Sequence, residues 1–323
     1  MNQLLNSELI QQKSLLSLLH FLKEQHYHFT VITPQTHQRI FMRKINLSSE
    51  PRSLKDIFGW NLPFHPEDLD PQLFNTLKKA LLIRHVGDQW LSNIRVAALE
   101  DELFIHSAFP TLEQDAVFFG PDTYRFYYHL KQYLLNQCQP FGRTLELCCG
   151  TSAVAIVIAK TFPELNEIFT ADINPKALFY SQVNKKFIGL KHIFPIHSNL
   201  FSNLQGDFDL IFANPPYLID SHERQYRHGG NCLDGTDLSF KILQEGIKRL
   251  TPQGKLFLYT GIAISHQGNK FLEALENWIQ HYPHFNYSYE EIDPDVFGEE
   301  LDQSVYQHIE RIAVVLITIT AIK

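Results

Sequence analysis

Residues 209–217 read Asp-Leu-Ile-Phe-Ala-Asn-Pro-Pro-Tyr, an apolar run that closes on Asn214, Pro215, Pro216 and Tyr217. Two successive prolines have no N–H to donate and a fixed φ, so the carbonyls near Asn214 and Pro215 are left to face a cavity instead of pairing in a ladder. Acceptors from the Asn214 side chain and the Pro215 carbonyl can hold both hydrogens of a planar –NH2 group, aim its nitrogen, and stabilise the positive charge that develops there. Tyr217 can stack on the planar group. The matching chemistry is methyl transfer to an amide or amino nitrogen, where alignment alone supplies about 7–11 kcal/mol and no metal or tuned base is needed beforehand. The alternative is a Pro-Pro turn that only caps a buried strand.

Two further pieces point to the methyl donor. Glu146-Leu147-Cys148-Cys149-Gly150-Thr151-Ser152-Ala153 places an acid at a strand end and then a turn of small residues opening a helix. Small side chains let a ligand approach the backbone, and the helix start offers N–H donors. Asp172 ends the next strand, 26 residues after Glu146, where a carboxylate can accept from both hydroxyls of a ribose. A helix cap ahead of Asn174-Pro175 is the other role open to it. A ribose ligand beside a turn with no phosphate-binding lysine favours S-adenosylmethionine over ATP.

The segments ELCCGTSA, TADINPKAL, SNLF and FDLIFANPPYL, in this order and spacing, resemble the class I S-adenosylmethionine-dependent methyltransferases with an Asn-Pro-Pro-Tyr motif. Within them the chain is most similar to the HemK-type protein-glutamine N5-methyltransferases, from about residue 115 onward. The resemblance implies that Glu146, Cys148 and Gly150 line the methionine part of the cofactor, that Asp172 binds the ribose, and that Asn199 lies by the adenine. It implies Ser152, Ile173, Leu200 and Asn214 as further cofactor contacts, and Asn214, Pro215, Pro216 and Tyr217 as the holders of the target nitrogen. Cys148 and Ser152 stand where the family usually has glycines, and Asn199 replaces an Asp. The family's Pro-Arg-Pro-Glu-Thr-Glu segment survives only as Gly120-Pro121-Asp122-Thr123-Tyr124-Arg125.

Positioning these residues requires a sheet. From Tyr124 onward short β-type runs alternate with helical ones, the pattern of a doubly wound parallel sheet whose ligands sit at the carboxyl ends of its strands. The expected fold is α/β: a Rossmann-like, seven-stranded methyltransferase sheet with a small, mostly helical N-terminal domain and a linking β-hairpin. The expected domains are residues 1–90, helical and substrate-recognising; 91–112, the hairpin; and 113–323, the methyltransferase. Leu15, Leu18, Leu19 and Leu22 recur at helical spacing, as do Leu73, Leu77, Leu81 and Leu82 behind Asp70-Pro71. The glycine-rich stretch Arg224–Gly235 is a candidate substrate lid, and Asp293–Leu301 reads as a solvated acidic loop.

The chain has 323 residues, 44% hydrophobic and 20% charged, with 28 Lys plus Arg against 35 Asp plus Glu. The length suits two folded units, at roughly 150 residues each. The net charge of -7 disfavours a nucleic-acid partner, which normally requires a basic groove. A protein glutamine is therefore expected as acceptor, ahead of an adenine N6 or cytosine N4 amino group in RNA or DNA, or a small molecule. A cofactor-binding scaffold without catalysis is the non-enzymatic alternative. The N-terminal stretch is interrupted by Glu8, Lys13, Lys23 and Glu24, unlike a signal peptide, and Ile312–Ile319 is too short to span a membrane. Cys148 and Cys149 are adjacent while Cys138 and Cys232 stand alone, so no disulfide framework is expected and the cytoplasm is the simpler home. His26 with His28, and His192 with His197, have no zinc-type partners, and no metal is expected.

Overall fold

The computed structural model describes residues 2–45, 51–137 and 141–322, so Cys138 lies outside it. Helix α1 (Asn2–Glu24) buries Leu15, Leu18, Leu19 and Leu22 completely along one stripe. Helices α2 (Pro34–Ile45) and α3 (Leu54–Phe58) follow, the latter opened by a Ser53–Asp56 capping box. Helix α4 (Pro71–Lys79) starts where Asp70 accepts from the Gln72 and Leu73 N–H groups, with Pro71 in its first turn. The leucine spacing carries the helix too far: the chain leaves it at Ala80, and Leu81 turns left-handed with 74% of its surface exposed.

Two hairpins come next. Strands β1 (Ile83–Val86) and β2 (Gln89–Ser92) form one that the helical reading of residues 1–90 did not contain. Each is four residues long, too short for alternation to show. Strands β3 (Ile94–Leu99) and β4 (Glu102–Ser107) form the expected hairpin, in register from Ile94 opposite Ser107 to Leu99 opposite Glu102.

The remaining chain builds the Rossmann-like sheet. Its elements are α5 (Pro121–Leu135), β5 (Arg143–Leu147), α6 (Ala153–Thr161), β6 (Glu167–Asp172), α7 (Pro175–Ile188), β7 (Ile193–His197), β8 (Phe208–Ala213), α8 (Asp237–Gly246), β9 (Leu250–Ser265), α9 (Lys270–Ile279), β10 (Phe285–Asp293) and β11 (Ile309–Ala321). Seven strands lie in the order β10-β11-β9-β8-β5-β6-β7. The five from β9 to β7 are parallel, whereas β11 runs antiparallel to both β9 and β10. The sheet is thus mixed at one end, although its central strands are wound as expected.

Central strands buried on both faces read as unbroken apolar runs. In β8, Leu210 and Phe212 pack with α5, α6 and α7, while Ile211 and Ala213 pack with α8 and α9. The N-terminal helices share the first of these cores. The junction also carries polar ties. Glu102, 4% exposed, pairs with Lys23 of α1 at 3.0 Å and with Lys160 of α6. Buried Asn184 of α7 accepts from the Ile105 N–H (3.1 Å) and donates to the Thr151 carbonyl (3.2 Å). Among the described residues no helix is long and apolar enough to cross a membrane. The Ile312–Ile319 run lies within β11, largely buried.

Candidate active site

The strand order reverses beside β5: the chain runs from β5 through β6 to β7, then returns to β8 on the other flank. At that point the loops after neighbouring strands diverge and leave a crevice. A cavity of about 450 Å³ lies there. Glu146, Cys148, Gly150, Asp172, Ile173, Asn199, Leu200 and the whole Asn214–Tyr217 loop line it, so residues from four separate strand ends share one space. Ser152 does not reach it. That side chain is fully buried, its hydroxyl 2.6 Å from the Ser181 hydroxyl of α7, so it braces the turn from behind where a direct cofactor contact was expected.

The turn after β5 is bent by three left-handed residues, Cys148 (φ 53°), Gly150 (φ 51°) and Ser152 (φ 55°). Glycine enters that region without penalty and other residues rarely do, which accounts physically for the glycines of the resembling family at the Cys148 and Ser152 positions. The Gly150 N–H donates to Asp172 Oδ2 at 2.8 Å, and the Asn174 N–H donates to Asp172 Oδ1 at 2.9 Å. Asn174 is itself the cap of α7, accepting from the Lys176 N–H. Asp172 therefore steadies the helix entry without being its cap. Each of its oxygens keeps acceptor capacity toward the cavity.

Glu146 is only 4% exposed, and its Oε2 has no hydrogen-bond partner. Burial pushes its carboxyl well above the ordinary range, opposed by the Ala155 N–H and reinforced by the charge of Asp172. A buried, half-satisfied acid on a cavity wall is matched by a cation or a strong donor. Burial likewise raises the Cys148 thiol, with Asp172 and Glu146 adding to the effect, so that thiol is neutral wall. An acid for a cationic amine, a second acid for vicinal hydroxyls and the exposed Asn199 beside them are a donor set that fits S-adenosylmethionine.

At the other end of the cavity, the Asn214 side chain makes no hydrogen bond within the described protein, and Pro215 is buried behind it. Tyr217 is held on three sides. Its hydroxyl donates to Asp122 Oδ2 at 2.6 Å, its ring stands edge-on to Phe297 at 6.0 Å, and a Cβ on Gly261 of β9 would lie 2.3 Å from it. Asp122 also accepts from the Tyr259 hydroxyl (2.9 Å) and from Arg125 (3.2 Å). Burial drives the Tyr217 hydroxyl well above its usual range, with the negative charge of Asp122 adding to the shift, so it stays protonated as a donor.

Residues 220–236 fold over the same loop. Gly229 packs flush on it, since a Cβ there would lie 2.5 Å from the Pro216 carbonyl oxygen. The glycines therefore serve close packing, in contrast to the hinges expected of a lid. The segment is tied down by charge: Arg224 pairs with Asp220 at 2.5 Å and Arg227 pairs with Glu300. Glu300 is 5% exposed and Asp293 pairs with Arg125 at 3.2 Å. The acidic loop expected to be solvated is thus partly internal, because its charges answer Arg125 and Arg227.

Spacing did not point to Pro34, Phe118, Asp122, Tyr226 or Phe297 on this wall. For Asp122 a signal existed in Gly120–Arg125, the one segment where this chain departs furthest from the family it resembles. Tyr226 lies in the glycine-rich stretch Arg224–Gly235 and Phe297 in the acidic loop Asp293–Leu301, whereas Pro34 and Phe118 lie in segments that carry no motif.

Residues 129–282 match the family model of the methyltransferase small domain. The ribosomal protein uL3 glutamine methyltransferase of Neisseria meningitidis is 34% identical over 127 residues, 36% of this chain and 42% of that protein. The release factor glutamine methyltransferase of Borreliella burgdorferi is 32% identical over 129 residues, 36% of this chain and 44% of that protein. The match thus spans less than half the length of either relative. Among solved structures, wild-type Trm5b of Pyrococcus abyssi superposes with a TM-score of 0.50 at 13% identity, covering 75% of this chain and 62% of that one, a likeness of fold alone.

Proposed function

We propose that this chain is an S-adenosylmethionine-dependent N-methyltransferase whose acceptor is a glutamine side chain in a protein. The observation that carries the reading is the shared cavity: unengaged acceptors at Asn214 and Pro215 lie in one space with the Glu146 and Asp172 carboxylates. The names of the two relatives, both glutamine methyltransferases acting on proteins, support the acceptor. The net charge of -7 supports a protein over a nucleic acid.

S-adenosylmethionine supplies a methyl group made electrophilic by its sulfonium. Glu146 would meet the amino group of the methionine part, Cys148 and Gly150 give it backbone space, Asp172 takes the ribose hydroxyls, and Asn199, Ile173 and Leu200 flank the base. Asn214 Oδ1 and the Pro215 carbonyl hold the two hydrogens of the target amide, and Tyr217 closes over its plane. As the N–CH3 bond formed and the S–CH3 bond broke, leaving a neutral thioether, the two acceptors would stabilise the charge on nitrogen until one of those hydrogens left as a proton to water. We assign substrate recognition to residues 1–90, the linker to the hairpin of residues 91–112, and catalysis to residues 113–323; Pro34, at the start of α2, reaches the cavity wall and supports the first assignment. A ribosomal protein or a release factor as acceptor would support a cytoplasmic reaction.

The test is transfer of labelled methyl to unmodified ribosomal protein uL3 and to unmodified release factor, with the modified residue located by mass spectrometry. Label on a glutamine is expected, and Asn214→Ala should lower kcat by about a hundredfold or more while calorimetric binding of S-adenosylmethionine persists. Label removed by nuclease instead would establish a base as acceptor; cofactor binding without transfer would establish a scaffold.

A further inference from the structure

We propose that His228 determines acceptor specificity by donating its Nε2–H to the carbonyl oxygen of the target carboxamide. This rests on the amide reading above and adds the third contact that such a group requires. A primary carboxamide presents two N–H donors and one carbonyl acceptor, and the Asn214-Pro215 pair answers only the donors.

The tautomer follows from the backbone. The Asp220 N–H, which can only donate, reaches His228 Nδ1 at 3.2 Å. Nδ1 therefore carries a lone pair, and the single proton of the neutral ring sits on Nε2. His228 lines the cavity together with Asn214, Pro215 and Pro216, and its Nε2 meets no acceptor among the described residues.

The ring is held in place. Asp220 is clamped by Arg224, whose backbone N–H donates at 2.9 Å and whose Nε donates at 3.0 Å. On either side of His228 in the chain, the Arg227 carbonyl accepts from the Leu218 N–H (3.1 Å) and the Gly229 N–H donates to the Leu218 carbonyl (2.9 Å). A donor on this short span stays in register with the acceptors a few residues away. Three other donors on the wall are engaged within the protein: the Tyr217 hydroxyl by Asp122, the Tyr226 hydroxyl by the Thr111 carbonyl, and the Arg227 guanidinium by Glu300.

Two substitutions separate this role from a structural one. In His228→Asn the short side chain can still accept from the Asp220 N–H but cannot reach the cavity; in His228→Gln the amide nitrogen lies near the original Nε2. With unmodified uL3 and release factor as acceptors, His228→Asn should raise the acceptor KM by about tenfold or more. His228→Gln should stay within about threefold of the wild type, and S-adenosylmethionine affinity by calorimetry should move by less than about twofold in both. A wild-type KM in the Asn variant, or a Gln variant no better than the Asn one, overturns the proposal. A wild-type protein that binds cofactor yet methylates neither acceptor overturns the amide reading, and this inference with it.

Discussion

Asp122 gathers the hydroxyls of Tyr217 and Tyr259 and the guanidinium of Arg125 on one buried carboxylate. In the proposed reaction it positions Tyr217, whose ring would cover the acceptor. Asp122→Asn replaces an acceptor with a donor against one of those hydroxyls, and Tyr217→Phe removes the donor itself. Each should lower kcat by about tenfold, and the double variant should lose little more than either single one, as a double-mutant cycle on kcat would read. The Asn-Pro-Pro-Tyr loop, Asp172 and the small-residue turn were legible in sequence because their chemistry resides in consecutive residues. Asp122 showed only as part of the departing Gly120–Arg125 segment, and its role was hidden because it depends on partners 95 and 137 residues away. Ser152 was misplaced for a related reason: spacing says that a small residue belongs in the turn, but not which way its hydroxyl points.

The strands and helices from β5 to β9 were readable because buried parallel strands carry long apolar runs and their helices alternate with them. What composition could not show is how the N-terminal elements lock onto the sheet. Glu102 reads as one of three acids in a hairpin turn, yet it is the inward residue that joins α1, the hairpin and α6. Burial alone would raise its carboxyl, but the hydrogen bonds from Lys160 and Lys23 outweigh that and hold it below the usual range. Glu102→Ala should destabilise the chain by about 1–2 kcal/mol, less than a fully enclosed pair because both lysines remain partly in water. Urea unfolding would show it as a lower midpoint with unchanged slope.

The whole molecule carries a titration of definite sign. His37 of α2 is buried with Arg95 and His106, and among the described residues no carboxylate is hydrogen-bonded to this cluster. Burial first, then the positive charge of Arg95, lowers His37 to about 4 and holds His106 well below its ordinary range. Between the ordinary histidine value of about 6.5 and those lowered values, the unfolded chain binds protons that the folded chain refuses, so stability is lost as pH falls through that window. The expected loss is about 1.4 kcal/mol per pH unit for each histidine, and His37→Phe should flatten a plot of Tm against pH from 6.5 to 4. Glu146 has the opposite sign, since its raised carboxyl keeps a proton that the unfolded chain releases above the ordinary carboxylate range. A bound cation would ionise it, so cofactor affinity should strengthen as pH rises.

The place of β11 between β9 and β10 bears on how the chain folds as it is made. β9 carries Gly261, against which Tyr217 rests, but its outer edge stays bare until residues 309–321 have left the ribosome. A nascent chain that already holds every cavity loop named above would expose a long apolar strand edge, an invitation to pair with a neighbouring chain. Protection of that edge thus arrives only with the last strand described, after the residues of the cavity are already in place.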